Sequence, residues 1–307
     1  MNGLALLQLL AGLALAPLIP GLINRVKALA AGRRGPPTIQ LYRDLWKLLR
    51  RGVVYGSGTS WVFQAGPRLG LAACLTALAM LPWGTLPALL AFPGDLVVLV
   101  YLLGLGRFFT VLAALDTGSS FEGMGASREA CLAALAEVPL VLALAALALG
   151  TGTAALSQLS LSPIYAKVAQ LPPGATAGLL LAGAALLVVY LAENSRIPVD
   201  DPNTHLELTM IHEVMILDHS GPELAVLEYA GALKLWLLGG LVAGLPPIAA
   251  AGPAWRPAAG FLAAQAVVAL LVGVVESVLA RIRMNRLPQL MLAAAAFALL
   301  ALVLFLK

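Results

Sequence analysis

LVVLVYLLGLGRFFTVLAAL, residues 96–115, is a run of twenty residues with one charge, Arg107, near its middle. As an α-helix such a run covers a hydrocarbon core of roughly 30 Å, whereas a strand or an amphipathic surface helix needs far fewer consecutive apolar residues. Comparable runs recur near 4–23, 62–81, 131–149, 175–192, 225–245, 258–278 and 287–306. The chain therefore reads as all-α, a polytopic membrane protein with about eight transmembrane helices. Composition agrees, since 61% of residues are hydrophobic, 11% are charged, and the mean hydropathy is +0.93. The first run, Leu4 to Ile23, has its first basic residue, Arg25, on the far side. Without a positive n-region it reads as a span rather than a cleaved signal peptide.

Charge outside the runs is one-sided. Eight Lys or Arg residues fall between Arg25 and Arg51, and Arg128, Arg196, Arg281, Arg283 and Arg286 occupy every second loop thereafter. The alternate loops hold only Lys167 and Arg256. The positive-inside rule then places both termini outside the cytoplasm, in a cell inner (plasma) membrane. The net charge of +4 is topological and gives no basic face for nucleic acid. No internal repeat or low-complexity linker divides residues 1–307, so the chain reads as one integral membrane domain. Two polar loops, 24–61 and 193–224, stand out as cytoplasmic docking segments. Asp200-Asp201-Pro202 in the second reads as a helix start, with a short amphipathic interface helix expected to about Asp218.

Ionisable groups inside spans are costly and point to function. Arg107, Glu137 and Lys234 lie deep in their runs, while Asp116, Glu193, Glu228 and Glu276 lie toward the loop-rich ends. Only Glu193 and Arg196 have helical spacing suited to local pairing, so Lys234 needs a partner on another helix, for which Glu137 is the candidate. Carboxylates with a lysine and an arginine in a bundle interior make a proton relay; the alternative is a set of ion pairs that fix helix packing. His205, His212 and His219 recur every seven residues, a polar helix stripe with too long a spacing for one metal ion. Gly104-Leu105-Gly106 lies within a span and fits close helix packing. Cys74 and Cys131 sit in apolar runs without ligand spacing, so any redox cofactor belongs to a partner.

The polar segments carry a resemblance. Arg33-Arg34-Gly35-Pro36 with Gln40, Tyr42, Asp44, Lys47 and Leu48 resembles the first cytoplasmic loop of the complex I subunit 1 family, particularly its branch in formate hydrogenlyase and other group 4 membrane-bound hydrogenases. The likeness continues in order through Leu115-Asp116-Thr117-Gly118-Ser119, Gly125-Ala126-Ser127-Arg128-Glu129-Ala130, Glu137-Val138-Pro139, Glu193-Asn194-Ser195-Arg196-Ile197-Pro198-Val199-Asp200, Ser220-Gly221, and Glu276-Ser277 before Ala280-Arg281. The resemblance implies an eight-helix subunit joining a hydrogenase-like peripheral arm to antiporter-like membrane subunits. The large and small subunits of that arm would carry the iron–sulfur clusters and a nickel–iron or quinone-reducing centre, with none bound by this chain. It also implies proton passage through Asp116, Glu129, Glu137, Glu193, Glu228 and Glu276, with Lys234 added by the span analysis. Docking would fall on Arg33, Arg34, Gln40, Tyr42, Asp44, Lys47, Arg128, Arg196 and Asp200. In quinone-using relatives the same subunit frames the quinone chamber, which is the alternative role here. An independent secondary transporter fits less well, because Gly and Pro interruptions lie mainly at span ends. One departure is visible: Asn203 and His205 stand where relatives carry carboxylates, which favours a hydrogenase-type or divergent complex.

Overall fold

The computed structural model describes residues 3–155, 157–200, 210–246, 253 and 255–306. Its main helices are α1 (Gly3–Leu15), α2 (Leu18–Ala30), α3 (Gln40–Leu49), α4 (Trp61–Ala79), α5 (Asp95–Asp116), α6 (Ser120–Gly150), α7 (Leu161–Val168), α8 (Thr176–Glu193), α9 (His212–Met215), α10 (Gly221–Ala243), α11 (Trp255–Val278) and α12 (Leu287–Phe305). Seven of them, α4, α5, α6, α8, α10, α11 and α12, are long and apolar enough to cross a membrane; α1 and α2 together make an eighth, bent by 45°. The all-α, multi-pass reading holds.

The run expected as one straight span over 4–23 is broken. Pro17 has no N–H to give the Leu13 carbonyl, so the helix ladder fails there. Two tyrosines fill the gap: Tyr229 of α10 donates to the Leu13 carbonyl at 3.0 Å, and Tyr42 of α3 donates to that of Ala14. The break thereby ties α1 and α2 to two other helices.

Packing runs α4 on α5, α12 against α6 and α8, α2 on α11, and α10 on α4. Trp236, Tyr165, Tyr190 and Phe261 fill the centre. Small residues let the backbones approach: a Cβ on Gly106 of α5 would lie 3.7 Å from Ala73 and 3.8 Å from Gly70 of α4, the close packing expected of the glycine pair. Large apolar side chains such as Tyr101, Phe108, Val274 and Leu300 point outward, as lipid-facing positions do.

Two carboxylates work as latches at opposite ends of the bundle. Asp95, fully buried, accepts from Ser160 Oγ at 2.6 Å, Leu161 N at 2.8 Å and Phe92 N at 3.3 Å, joining the start of α5 to the start of α7. Asp116 accepts from Ser60 N at 2.6 Å, Ser60 Oγ at 2.8 Å and Phe63 N at 3.2 Å, fixing the start of α4. Replacing Asp95 by alanine strands buried donors and is expected to destabilise the protein by roughly 1.5–3 kcal/mol. Thermal unfolding in detergent checks this, and an unchanged midpoint would refute the latch.

Candidate functional site

A cavity of 340 Å³ opens on the loop-rich side between α2, α3, α10 and the segment that follows α8. It exists because α8 stops early. Glu193 ends that helix, yet it pairs with Lys234, the fourteenth residue of α10, so the chain after Glu193 enters the bundle instead of leaving it. Val199 and Ile211 are fully buried and Asp200 nearly so. The described part of the 193–224 segment is thus largely built into the protein's own loop-side face. Only one turn, His212–Met215, is helical in the described part of the expected Asp200–Asp218 helix. Residues 201–209, with the predicted start at Asp201-Pro202, the Asn203 and His205 departure, and Glu207, lie outside the described residues. His212 and His219 do not share a stripe: His212 lines the cavity, and His219 stacks on Phe63 with ring centroids 3.9 Å apart.

Five ionisable side chains on four helices form the central network. Lys234 Nζ lies 2.9 Å from Glu193 Oε2, Arg107 bonds Glu193 Oε1, and Arg107 NH2 lies 3.9 Å from Glu137. Glu129 is buried within the field of Lys234, Glu193 and Arg107. The expected pairs are therefore rearranged. Lys234 pairs with Glu193 and not with Glu137, and Arg196 turns from Glu193 to Glu276 at 3.6 Å. The reason is geometric: α8 brings Glu193 between α5 and α10, where two cations compete for it. Helical spacing in one segment cannot register that competition.

A second branch flanks the cavity. Lys27 Nζ lies 2.8 Å from the fully buried Glu276 carboxylate, which Arg196 also approaches, and Arg281 NH2 lies 3.0 Å from Asp200. Asp200 also accepts from the backbone N–H groups of Ile211 and His212, closing the re-entering segment into a loop. Glu228 and Asp44 line the cavity from α10 and α3. Asp116, by contrast, commits its carboxylate to the start of α4. Of the expected docking residues, Arg33, Arg34 and Lys47 are exposed. Gln40 bonds Asp44, Tyr42 bonds the Ala14 carbonyl, Arg128 donates to the Met210 carbonyl, and Arg196 and Asp200 join the ion pairs above.

Sequence reasoning missed Lys27, which lies in the basic segment assigned to topology, and Glu223. Glu223 accepts from Tyr55 Oη at 2.8 Å and lies 3.6 Å from both Arg68 and His219 Nδ1. With the Val54 N–H donating to Ser220 Oγ at 3.0 Å, this cluster fastens the 50–60 segment to the start of α10. An i,i+4 His–Glu pair was the available signal.

His212 carries a pH consequence. Burial first, and then the Lys234 charge, hold its imidazole down at about 4. The folded value lies below the ordinary one near 6.5, so the unfolded chain binds more protons between those values. Stability attributable to His212 is therefore complete above pH 6.5 and is lost as pH falls toward 4. The loss is at most about 3–4 kcal/mol, reduced because His212 lines the cavity. His212→Gln is expected to flatten the melting-temperature profile across that window, and an unaltered slope would refute it.

A multi-pass helical bundle with a charged axis opening from one side into its core defines the class: a membrane subunit built around internal ion pairs. The family model described as NADH dehydrogenase matches residues 3–306, and the chain belongs to that family, the complex I subunit 1 type. It is 33% identical over 305 residues to formate hydrogenlyase subunit 4 of Escherichia coli (strain K12), covering 97% of this chain and 96% of that one. It is 34% identical over 241 residues to hydrogenase-4 component C of the same organism, covering 78% and 74%. Its fold matches a chain in the structure of the membrane-bound sulfane sulfur reductase, an archaeal respiratory membrane complex, with TM-score 0.79, 22% identity and coverage of 97% and 98%.

Proposed function

We propose that this chain is a membrane subunit of a complex I-like assembly, joining a peripheral redox arm to antiporter-like membrane subunits and relaying protons between its cavity and a neighbouring subunit. One observation carries the reading. The network starts at the cavity wall with Lys234 and Glu193, passes through Arg107, and ends at Glu137, whose side chain is 43% exposed. Glu137 is the eighteenth residue of the 31-residue α6, close to the helix midpoint. A carboxylate open to lipid at that depth costs at least about 2.5–3.5 kcal/mol, which a covering protein removes. The axis thus leads from the loop-side cavity to a place where another membrane subunit fits.

The names of the relatives favour a hydrogenase-like arm, with large and small subunits holding iron–sulfur clusters and a nickel–iron centre. The basic segments after α2, α8 and α11, with Arg128 near the start of α6, support a cytoplasmic position for the cavity, with both termini on the opposite side of the inner membrane. In the quinone reading the same cavity is a quinone chamber; its volume suits a quinone head group, but its walls bear Asp44, Glu193, Glu228 and Lys234, which suit protons better than an isoprenoid tail. Pull-down of the tagged chain from its own membranes, with mass spectrometry, metal analysis and quinone extraction, tests the assignment. Antiporter-like proteins, an iron–sulfur subunit and nickel are the expected recovery. Stoichiometric quinone without nickel would favour the chamber reading, and recovery of the chain alone would overturn both.

A further inference from the structure

The two sides of α3 differ in kind. Leu41 and Asp44 turn inward and line the cavity, where the helix packs on α10 and α2. On the outer side Arg43, Lys47 and Arg50 are exposed, and Ile39, Trp46 and Leu49 are 44%, 60% and 55% exposed. At about 100° of turn per residue the three cations fall on one stripe, and the three apolar residues form a second stripe along its edge. Arg50 joins the two, its guanidinium carbon 4.2 Å from the centre of the Trp46 ring.

Depth identifies what surrounds this outer side. Tyr42 of α3 and Tyr229 of α10 hold the adjacent carbonyls of Ala14 and Leu13. Tyr229 is the ninth residue of α10, about 12 Å along that helix from its first residue, Gly221. Beyond the other end of α3, a Cβ on Gly221 would stand 2.5 Å from the Gly52 carbonyl oxygen. α3 therefore runs beside the first turns of a spanning helix and does not stand clear of the bundle in the loop-side water. Its outer side lies where head groups give way to hydrocarbon.

Like charges three and four residues apart on a helix repel, and among the described residues none of the three cations meets a carboxylate. An anion against the stripe removes that repulsion. An acidic segment of a water-borne partner would approach from beyond the start of α10, and a carboxylate on a second membrane subunit would bear its own desolvation cost at this level. The phosphate of a phospholipid already resides there, with acyl chains below it that suit Ile39, Trp46 and Leu49. We propose that the outer side of α3 binds an anionic phospholipid, its head group held by Arg43, Lys47 and Arg50 and its chains laid against the Trp46 edge. The site lies on the opposite side of α3 from the loop-side cavity, and it requires only that the chain sit in a membrane, whichever partners it has.

Fluorescence quenching by brominated lipid tests the site. The full chain, with the partners that purify with it, is reconstituted into phosphatidylcholine vesicles containing a small fraction of brominated phosphatidylglycerol or of brominated phosphatidylcholine. The Trp46 contribution is the difference between the parent protein and Trp46→Phe. Brominated phosphatidylglycerol is expected to quench it about fivefold more effectively than brominated phosphatidylcholine at equal content. Replacing Arg43, Lys47 and Arg50 together by glutamine should abolish the preference while leaving quenching by either lipid, because the apolar edge remains. If that variant fails to accumulate, Arg43→Gln alone should remove at least half of the preference. Equal quenching by the two lipids in the parent would overturn the proposal, as would a preference that survives the substitutions. Quenching by neither lipid would overturn it too, by showing that protein or water covers this side of α3.

Discussion

Replacing Glu193 by alanine is expected to have the largest effect of any single change in the network. Arg107 and Lys234, with side chains only 12% and 16% exposed, share this carboxylate as a common counter-ion. Its removal takes from Lys234 its paired carboxylate and leaves Arg107 only the longer contact to Glu137, at 3.9 Å, in a medium that solvates neither cation well. Taking one partner from a buried pair typically costs about 3–5 kcal/mol, most of it the penalty on the charge left behind. Little of the variant should accumulate in membranes, and what does should melt well below the parent protein in detergent. Glu193→Gln keeps the shape and the acceptor oxygen while deleting the charge, so it should accumulate better yet lose proton-linked turnover of the assembled complex. Adding Lys234→Met to Glu193→Ala removes one stranded cation and should restore part of the lost stability. Parent-like melting of the single alanine variant would show that the network is dispensable.

The second large effect is expected at Gly21, where geometry alone decides. A Cβ there would stand 2.0 Å from the Thr38 carbonyl oxygen, 2.7 Å from its carbon and 2.9 Å from its Cα. All three are backbone atoms, so no rotamer relieves the clash. Even Gly21→Ala must drive α2 and the segment leading into α3 apart, where overpacking commonly costs about 1–3 kcal/mol. That segment supplies Pro36, Pro37 and Gln40 to the cavity wall, so the damage falls on the site. Backbone hydrogen exchange over residues 36–49 should accelerate at least tenfold, with lower thermal stability. Exchange and melting both unchanged would show that the close approach is not required.

The spans were legible because lipid imposes one rule on every crossing segment: backbone groups must bond within the helix, and side chains must be apolar for some twenty residues. Residues 96–115 satisfy it on sight. The exception is informative, since the run over 4–23 satisfies the same rule in composition while Pro17 breaks it in geometry. The position of that proline was readable, but the two tyrosines that make the break tolerable come from α3 and α10. Family membership was equally legible in the ordered loop residues from Arg33 to Arg281, which apolar composition alone does not produce.

Pairing within the site was not legible. Sequence identified Glu137, Glu193, Lys234 and Arg107 as charges that hydrocarbon would not tolerate, a conclusion that needs only local composition. Which anion meets which cation depends on the rotation and depth of four helices relative to one another, and those are set by packing at contacts such as Gly70 with Gly106. Lys234 therefore met Glu193 instead of Glu137, Arg196 left its sequence neighbour for Glu276, and Lys27 proved to hold a buried carboxylate. The sequence by itself determined the class, the spans and the presence of Arg107, Glu137 and Lys234 deep within them, because each follows from the free energy of a segment in lipid. Only the tertiary structure decided the partners, the cavity and the exposed end at Glu137, because a Coulomb interaction in a low-dielectric interior depends on distances that no single helix contains.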